Sequence, residues 1–355
     1  MKKWQRRDLS PADRGVFLRK IASLIQGQEE EFAHLEALST GKPVSRYAEW
    51  TVQGSCSINT PGHLNITVKE PYGVVAAIIP WNVPLASFAT KIAPAVAAGN
   101  TVVLKSSEKS PLTIGLGAKL IAEAGSPPGV VTILHGYGPT TGNAIASHMD
   151  VRCFSFTGSS LTGRKFQAAA AKSNMKTVHM ELGVKTLALI FEDADLESAA
   201  EQTLFSVQFF SGQTCIANSR IYVQGTVTDK FLAYERVKAY LSSGKKKGKL
   251  TLGGDTKDGN FIKPTVFEEA PEESQIMKED VFRPVYASVF TKNFDRALQV
   301  SKLLEAGTVG VNCTSPSMTK DMLFGHWKGS GISREGYLHS IDSYLEPKSI
   351  LVKTG

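Results

Sequence analysis

Between residues 73 and 181, short apolar β-branched runs alternate with helical stretches, and this constrains the fold more than any other feature. GVVAAIIP, beginning at Gly73, reads as a buried strand. Helix follows over 85–98, strand over 100–105 (NTVVLK), helix over 111–124 and strand over 130–134. The pattern continues with helix 139–148, strand 153–156, helix 161–172 and strand 176–181. Strands separated by helices imply parallel βαβ units and a doubly wound sheet, whose ligands sit beyond the carboxyl ends of the strands.

The alternation restarts after Lys185: strand 186–191, helix 195–210, strand 219–223 and helix 229–243. Strands 264–267 and 285–290, helix 294–304 and strand 308–312 complete it, which predicts a second α/β domain beginning near Gly183. Residues 11–40 read as helix, with Val16, Leu18, Ile21, Leu24 and Ile25 at helical spacing and Gly41 and Pro43 as stop signals. Residues 50–70 suggest a hairpin, and 344–352 (YLEPKSILV) a strand. The division expected is 1–183, 184–335 and 336–355.

A chain of 355 residues fits about two domains and can bury a core without disulfides or metals as staples. The excess of Lys and Arg over Asp and Glu, 40 to 33, is diffuse and does not point to nucleic acid. The dense basic stretch 245–249 (KKKGK) reads as a solvated helix end before it reads as a phosphate site. No apolar run reaches the roughly 18 residues of a membrane span. MKKWQRRDLS starts like a signal peptide, but no apolar stretch follows, so a cytoplasmic protein is expected. Cys56, Cys153, Cys215 and Cys313 are widely spaced, with no CxxC or zinc spacing, so no metal is expected and each is a buried or a reactive thiol.

Four places carry possible chemistry. Cys215, in Gly212-Gln213-Thr214-Cys215, follows a helix in a turn of small residues; by itself it is either an inert buried thiol or a nucleophile. Glu181 ends a strand and is either an ion-pair partner or a general base. Asn82, after Pro80-Trp81, either caps the next helix or donates to an oxyanion. Phe156-Thr157-Gly158-Ser159-Ser160 with Gly163 has strand, turn and helix in the order that suits phosphate, without the GxGxxG fingerprint. Gly136-Tyr137-Gly138 lacks that spacing too and reads as a turn.

Together these words resemble the aldehyde dehydrogenase family. EPYGVVAAIIPWN, KIAPAVAAGNTVVLKSSE, FTGSSLTG, ELGVK and GQTC carry the resemblance, in the family's order. FIKPTVF, KEDVFRPV, GTVGVNC and FGHWKGSGISREG extend it to about nine-tenths of the chain. The resemblance implies NAD-dependent oxidation of an aldehyde to a carboxylic acid. Cys215 would form a thiohemiacetal and then a thioester, Asn82 would hold the oxyanion and Glu181 would activate water. Lys105 and Glu108 would hold the adenosine ribose, the carboxylate favouring NAD over NADP, while Gly158 and Ser159 lie near the pyrophosphate. Asp280 and Phe282 match the nicotinamide side, and Lys91 and Glu335 match positions sometimes drawn into proton relay. It further implies that 1–183 is a dinucleotide-binding domain, 184–335 a shortened catalytic thiol domain and 336–355 a C-terminal oligomerisation segment; the strand at 344–352 would join the hairpin in an oligomerisation flap, predicting a homodimer or homotetramer.

The chain also departs from the family. It is short, with segments missing between Pro43 and Glu70 and near Ala233. Val184 stands in the family's ELGGK, and Asp280 and Arg283 alter its EIFGP. Two further readings therefore stand beside the NAD-dependent one. The first is a relative that has lost redox activity, needs no cofactor and performs hydrolysis, condensation or cyclisation in a biosynthetic pathway. The second is a non-catalytic binding relative. Phe205, Phe209, Phe210 and Trp327 line a substrate tunnel or belong to the core.

Overall fold

The computed structural model describes residues 10–40, 55–57, 60–183, 186–232, 250–252, 256–257, 261–262, 266–267, 285–315, 322–336 and 339–354. The expectations for Asp280, Phe282, Val184, Arg283, the 245–249 stretch and most of helix 229–243 lie outside the described residues. The chain forms two units: Met1–Leu182 with Lys320–Phe324 and Gly331–Gly355, and Gly183–Thr319 with Gly325–Ser330. Residues 331–335, which the sequence reading grouped with the thiol domain, thus fold with the first unit, as does the C-terminal segment.

In the first unit, α1 (Pro11–Gly27) starts at a capping box in which Ser10 and Asp13 satisfy each other's backbone N–H groups. α2 (Glu29–Thr40) follows. β1 (Ser55–Ser57) and β2 (His63–Pro71) pair antiparallel, forming the expected hairpin. The alternating region then gives β3 (Val74–Ile78), α3 (Pro84–Ala97), β4 (Thr101–Lys105), α4 (Leu112–Glu123) and β5 (Val131–Leu134). α5 (Asn143–Ser147), β6 (Cys153–Gly158), α6 (Ser160–Lys172) and β7 (Thr177–Leu182) continue it.

These strands form a parallel sheet in the order β7-β6-β3-β4-β5. The order reverses between β3 and β6, where the crossovers pass to opposite sides and leave a crevice beyond the strand ends. Side-chain alternation explains why both faces are covered. Val75 and Ala77 pack with Phe88, Ile92, Ile114 and Ile121 of α3 and α4. Ala76 and Ile78 pack with Phe154, Phe156 and Phe166 on the other face. Each fully buried large apolar side chain contributes about 1.5–3 kcal/mol. Gly163 of α6 is required by close packing: a Cβ there would lie 2.7 Å from Leu182 Cδ2 and 3.3 Å from Met180 Sδ on β7.

The second unit contains β8 (Leu187–Ile190), α7 (Leu196–Gln208), β9 (Arg220–Val223), β10 (Tyr286–Phe290), α8 (Phe294–Leu303) and β11 (Thr308–Val311). Its four strands form a parallel sheet in the order β11-β10-β8-β9. Ile190, Ala199, Phe231 and Phe290 are part of its buried core.

Two short elements return to the first unit. β12 (Gly331–Ile332) joins the free edge of β7 antiparallel, setting Gly331 opposite Glu181. α9 (His339–Asp342) leads into β13 (Leu345–Lys353). β13 pairs antiparallel with all of β2, from Leu345 opposite Pro71 to Lys353 opposite His63. Two-residue strands are hard to see in sequence because they carry no period, so β12 was not anticipated.

Candidate active site

The carboxyl ends of the first unit's strands carry most of the expected residues. Asn82 lies in the turn between β3 and α3, and Lys105 is the last residue of β4. Gly158 ends β6, Ser159 caps α6, and Glu181 is the penultimate residue of β7. They share one edge of the sheet because parallel strands all end on the same side.

The Lys105 ammonium is buried and donates to the Ser106 carbonyl at 2.8 Å and to Glu108 Oε2 at 3.4 Å. A backbone hydrogen bond chiefly holds the Glu108 carboxyl below its ordinary range, with Lys105 adding to the effect. Ser106 Oγ also meets His135 Nδ1 at 2.6 Å, tying the end of β4 to the loop after β5. Ser159 Oγ accepts from Thr162 N at 3.3 Å, so α6 opens next to the β3/β6 switch point with its N-terminus at the strand ends. This set suits a dinucleotide. A cation and a carboxylate are held together for a ribose, and a glycine turn and a helix N-terminus face the place a pyrophosphate needs.

Glu181 is 6% exposed, and among the described residues neither carboxylate oxygen has a hydrogen-bond partner. Burial first, and the Glu335 carboxylate second, raise its pKa well above the ordinary value; Lys91 and Arg334 oppose them. Lys91, on α3 and buried, forms an ion pair with Glu335. His179 shares Glu181's face of β7, two residues away. Burial chiefly, and Lys91 next, press its pKa down to about 4. The sequence reading missed His179, although strand alternation from Glu181 would have found it.

Cys215 belongs to the second unit. α7 is capped by the Asp195 side chain, which accepts from Ser198 N at 3.1 Å, and ends in a 3-10 turn over Phe209–Gly212. Gly212 has φ +72°, which a side chain there would strain. Cys215 follows with a half-buried thiol, and the chain after it is pinned from within. The Ile216 and Ala217 carbonyls both accept from Thr186 Oγ1, and Ile216 O accepts from Ser315 Oγ as well. Ser206 Oγ lies 3.0 Å from Asn218 Oδ1 and 2.8 Å from Ser315 Oγ. Asn218 Nδ2 donates to the Leu187 carbonyl at 2.6 Å and to Ser288 Oγ at 3.1 Å. Such a satisfied buried polar network fixes the loop geometry; no motif in the sequence announces it, because its members come from five separate segments.

The other described thiols differ from Cys215. Cys153 is fully buried in the first unit, and desolvation pushes its pKa up to about 12, which makes it inert. Cys313 lies 3.9 Å from the Tyr286 hydroxyl. Near Cys215 in sequence, Phe205, Phe209 and Phe210 stack in series at centroid distances of 5.5 and 3.9 Å. Phe205 and Trp327 are exposed, so neither is core. Among the described residues no group of three or more His, Cys, Asp or Glu could hold a metal ion, and no helix is long and apolar enough to cross a membrane.

Comparison with known proteins agrees with this arrangement. The sequence profile of the aldehyde dehydrogenase family matches residues 1–234, 232–287 and 285–350, so the chain belongs to that family. It is an aldehyde-oxidising enzyme that uses NAD or NADP. An aldehyde dehydrogenase of Emericella nidulans is 36% identical over 420 residues, covering 98% of this chain and 84% of that protein. Aldehyde dehydrogenase 1A1 of Equus caballus is 38% identical over 419 residues, covering 98% and 83%. The NAD+ complex of an aldehyde dehydrogenase from Bacillus cereus superposes with a TM-score of 0.91 at 32% identity, covering 99% of this chain and 86% of that one. An E. coli NADP-dependent enzyme gives the same TM-score, 0.91, at 30% identity, covering 99% and 87%.

Proposed function

We propose that Cys215 is the nucleophile, Glu181 the general base and Asn82 the oxyanion donor of an NAD-dependent oxidation of a small-molecule aldehyde to its carboxylic acid. The Cys215 thiolate adds to the aldehyde carbon, and the carbonyl oxygen becomes an oxyanion that the Asn82 amide and the Cys215 backbone N–H hold. NAD supplies the hydride acceptor when bound. Loss of hydride leaves a thioester on Cys215. Glu181 then takes a proton from water as the water oxygen attacks the thioester, and the acid leaves with the thiolate restored.

The observation that carries this reading is the state of Glu181. A buried carboxyl with raised proton affinity and no fixed hydrogen bond is available to accept a proton, which a structural ion pair would not be. Glu108 beside Lys105 supports NAD as the preferred cofactor, because a carboxylate accepts from a free ribose hydroxyl and repels a 2′-phosphate. The cofactor-free alternative is not favoured, given the near full-length match to aldehyde dehydrogenases.

The alignment length supports a scaffold trimmed internally: 420 aligned residues exceed the 355 of the chain. Assembly into a homodimer or homotetramer is part of this reading. It is supported by the exposed outer side of β13, where Leu351 is 66% exposed on a strand that, among the described residues, pairs with β2 alone. The deciding experiment titrates the protein with NAD and follows NADH absorbance over a panel of aldehydes, beside Cys215→Ala. NADH production that depends on Cys215 is expected; folded protein that binds no NAD would overturn the reading.

A further inference from the structure

β4 and β5 end side by side, with Lys105 opposite Leu134, and each is followed at once by a polar side chain, Ser106 and His135. Ser106 is fully buried, and its backbone N–H donates to the Leu134 carbonyl at 3.2 Å. Its hydroxyl has one partner among the described residues, His135 Nδ1 at 2.6 Å. A buried hydroxyl that left its proton unplaced would bear the full cost of an unmade hydrogen bond. Ser106 Oγ therefore donates and Nδ1 accepts, which puts the imidazole's own proton on Nε2. His135 is exposed, so this N–H is a donor for a ligand at the strand ends.

The same hydrogen bond reaches the pair read above as holding the adenosine ribose. The Ser106 carbonyl accepts from the Lys105 ammonium at 2.8 Å, and Lys105 also reaches Glu108 Oε2 at 3.4 Å. Lys109 lies on the same loop, its ammonium 5.7 Å from the centre of the Trp81 ring in the turn after β3. Behind the backbone hydrogen bond that chiefly lowers the Glu108 carboxyl, Lys105 and Lys109 both draw it down. Two ammonium groups, one carboxylate and one imidazole N–H donor therefore stand at this end of the sheet. A lone carboxylate repels a 2′-phosphate, whereas this set carries a net positive charge beside that carboxylate. A phosphate oxygen also accepts from Nε2–H more strongly than a ribose hydroxyl does, because the bond is charge-assisted.

We propose that His135, held by Ser106 with Nε2 as its donor, is a cofactor-selecting residue that admits NADP beside NAD by hydrogen bonding to the 2′-phosphate. This rests on the reading of Lys105 and Glu108 as the ribose-holding pair. Glu108 favours the free hydroxyl of NAD, and His135 with the two lysines offsets its repulsion of the phosphate. The chain then takes either cofactor, with NAD the tighter of the two.

The test is direct binding, read from the fluorescence of NADH and of NADPH titrated into the full chain. The parent is expected to bind NADPH within about thirtyfold of NADH. In His135→Phe, NADPH affinity is expected to fall about tenfold while NADH affinity changes less than about twofold. His135→Gln keeps an N–H donor on a side chain of similar reach, and NADPH affinity is expected to stay within about threefold of the parent, a rescue that lost packing alone would not give. A parent that binds NADPH more weakly than stated would overturn the proposal. So would an unchanged NADPH affinity in His135→Phe, an equal loss of both cofactors there, or a loss in His135→Gln as large as in His135→Phe. Lys105→Met is expected to weaken both cofactors; unchanged binding of both in that variant would overturn the ribose reading itself.

Discussion

Lys91 and Glu335 lie 244 residues apart in the chain and meet as an ion pair, with Lys91 on α3 only 1% exposed at its side chain. The pair ties the C-terminal return of the chain to α3. It also sets the local field: Glu335 raises Glu181, and Lys91 tempers that rise. Replacing Lys91 by Met would leave Glu335 beside Glu181 without its cation. The loss expected is about 3 kcal/mol of stability, read from urea unfolding, since a buried pair broken on one side leaves an uncompensated charge.

Glu181 trades stability for chemistry. Its folded pKa is raised, so the folded state holds more protons than the unfolded one just above the ordinary carboxylate range. The stability this brings is present at low pH and is lost as pH rises through the folded pKa. Glu181→Gln, which cannot ionise, is therefore expected to raise the melting temperature at neutral pH while steady-state turnover drops by a factor of about 100 or more. The acid limb of the parent's rate profile should lie above the usual carboxylate range and disappear in the variant.

His179 gives the opposite sign. Its pKa falls to about 4 on folding from an ordinary value of 6.5. The folded state binds fewer protons between those values, so stability rises with pH across that window and is lost as pH falls through it. Thermal melts of the parent should weaken between about pH 6 and 4 by up to roughly 3 kcal/mol, and His179→Gln should flatten that slope.

Asn218 joins the Cys215 turn to β8 and β10 through Leu187 and Ser288. Asn218→Ala would take the side-chain donor from the Leu187 carbonyl and Ser288 Oγ in a dry interior, at a cost of about 2 kcal/mol in urea unfolding. A slower NADH burst with little change in NAD affinity should accompany it.

Glu108→Gln tests cofactor choice. Losing one charge-assisted hydrogen bond to a ribose hydroxyl should shift the ratio of NAD to NADP affinity by roughly tenfold toward NADP. Fluorescence titration with the two reduced cofactors reads this directly.

The alternation of strand and helix, the hairpin before β3 and the terminal strand β13 were legible because each has a period, 2.0 or 3.6, that a chain of this composition cannot satisfy otherwise. The motif words located Asn82, Lys105, Glu108, Gly158, Ser159, Glu181 and Cys215 in turns and at strand ends. Spacing along the chain could not reveal what those residues face. The return of Gly331 to the edge of β7, the meeting of Lys91 with Glu335 and the cavity beside His179 all join segments far apart in sequence. The network beneath Cys215 likewise draws on Thr186, Ser206, Ser288 and Ser315, none of which stands out by type. Local periodicity determined the elements because backbone hydrogen bonding and side-chain alternation act between near neighbours. Only the tertiary structure decided the proton affinities of Glu181 and His179, because burial and the charges packed nearby set them.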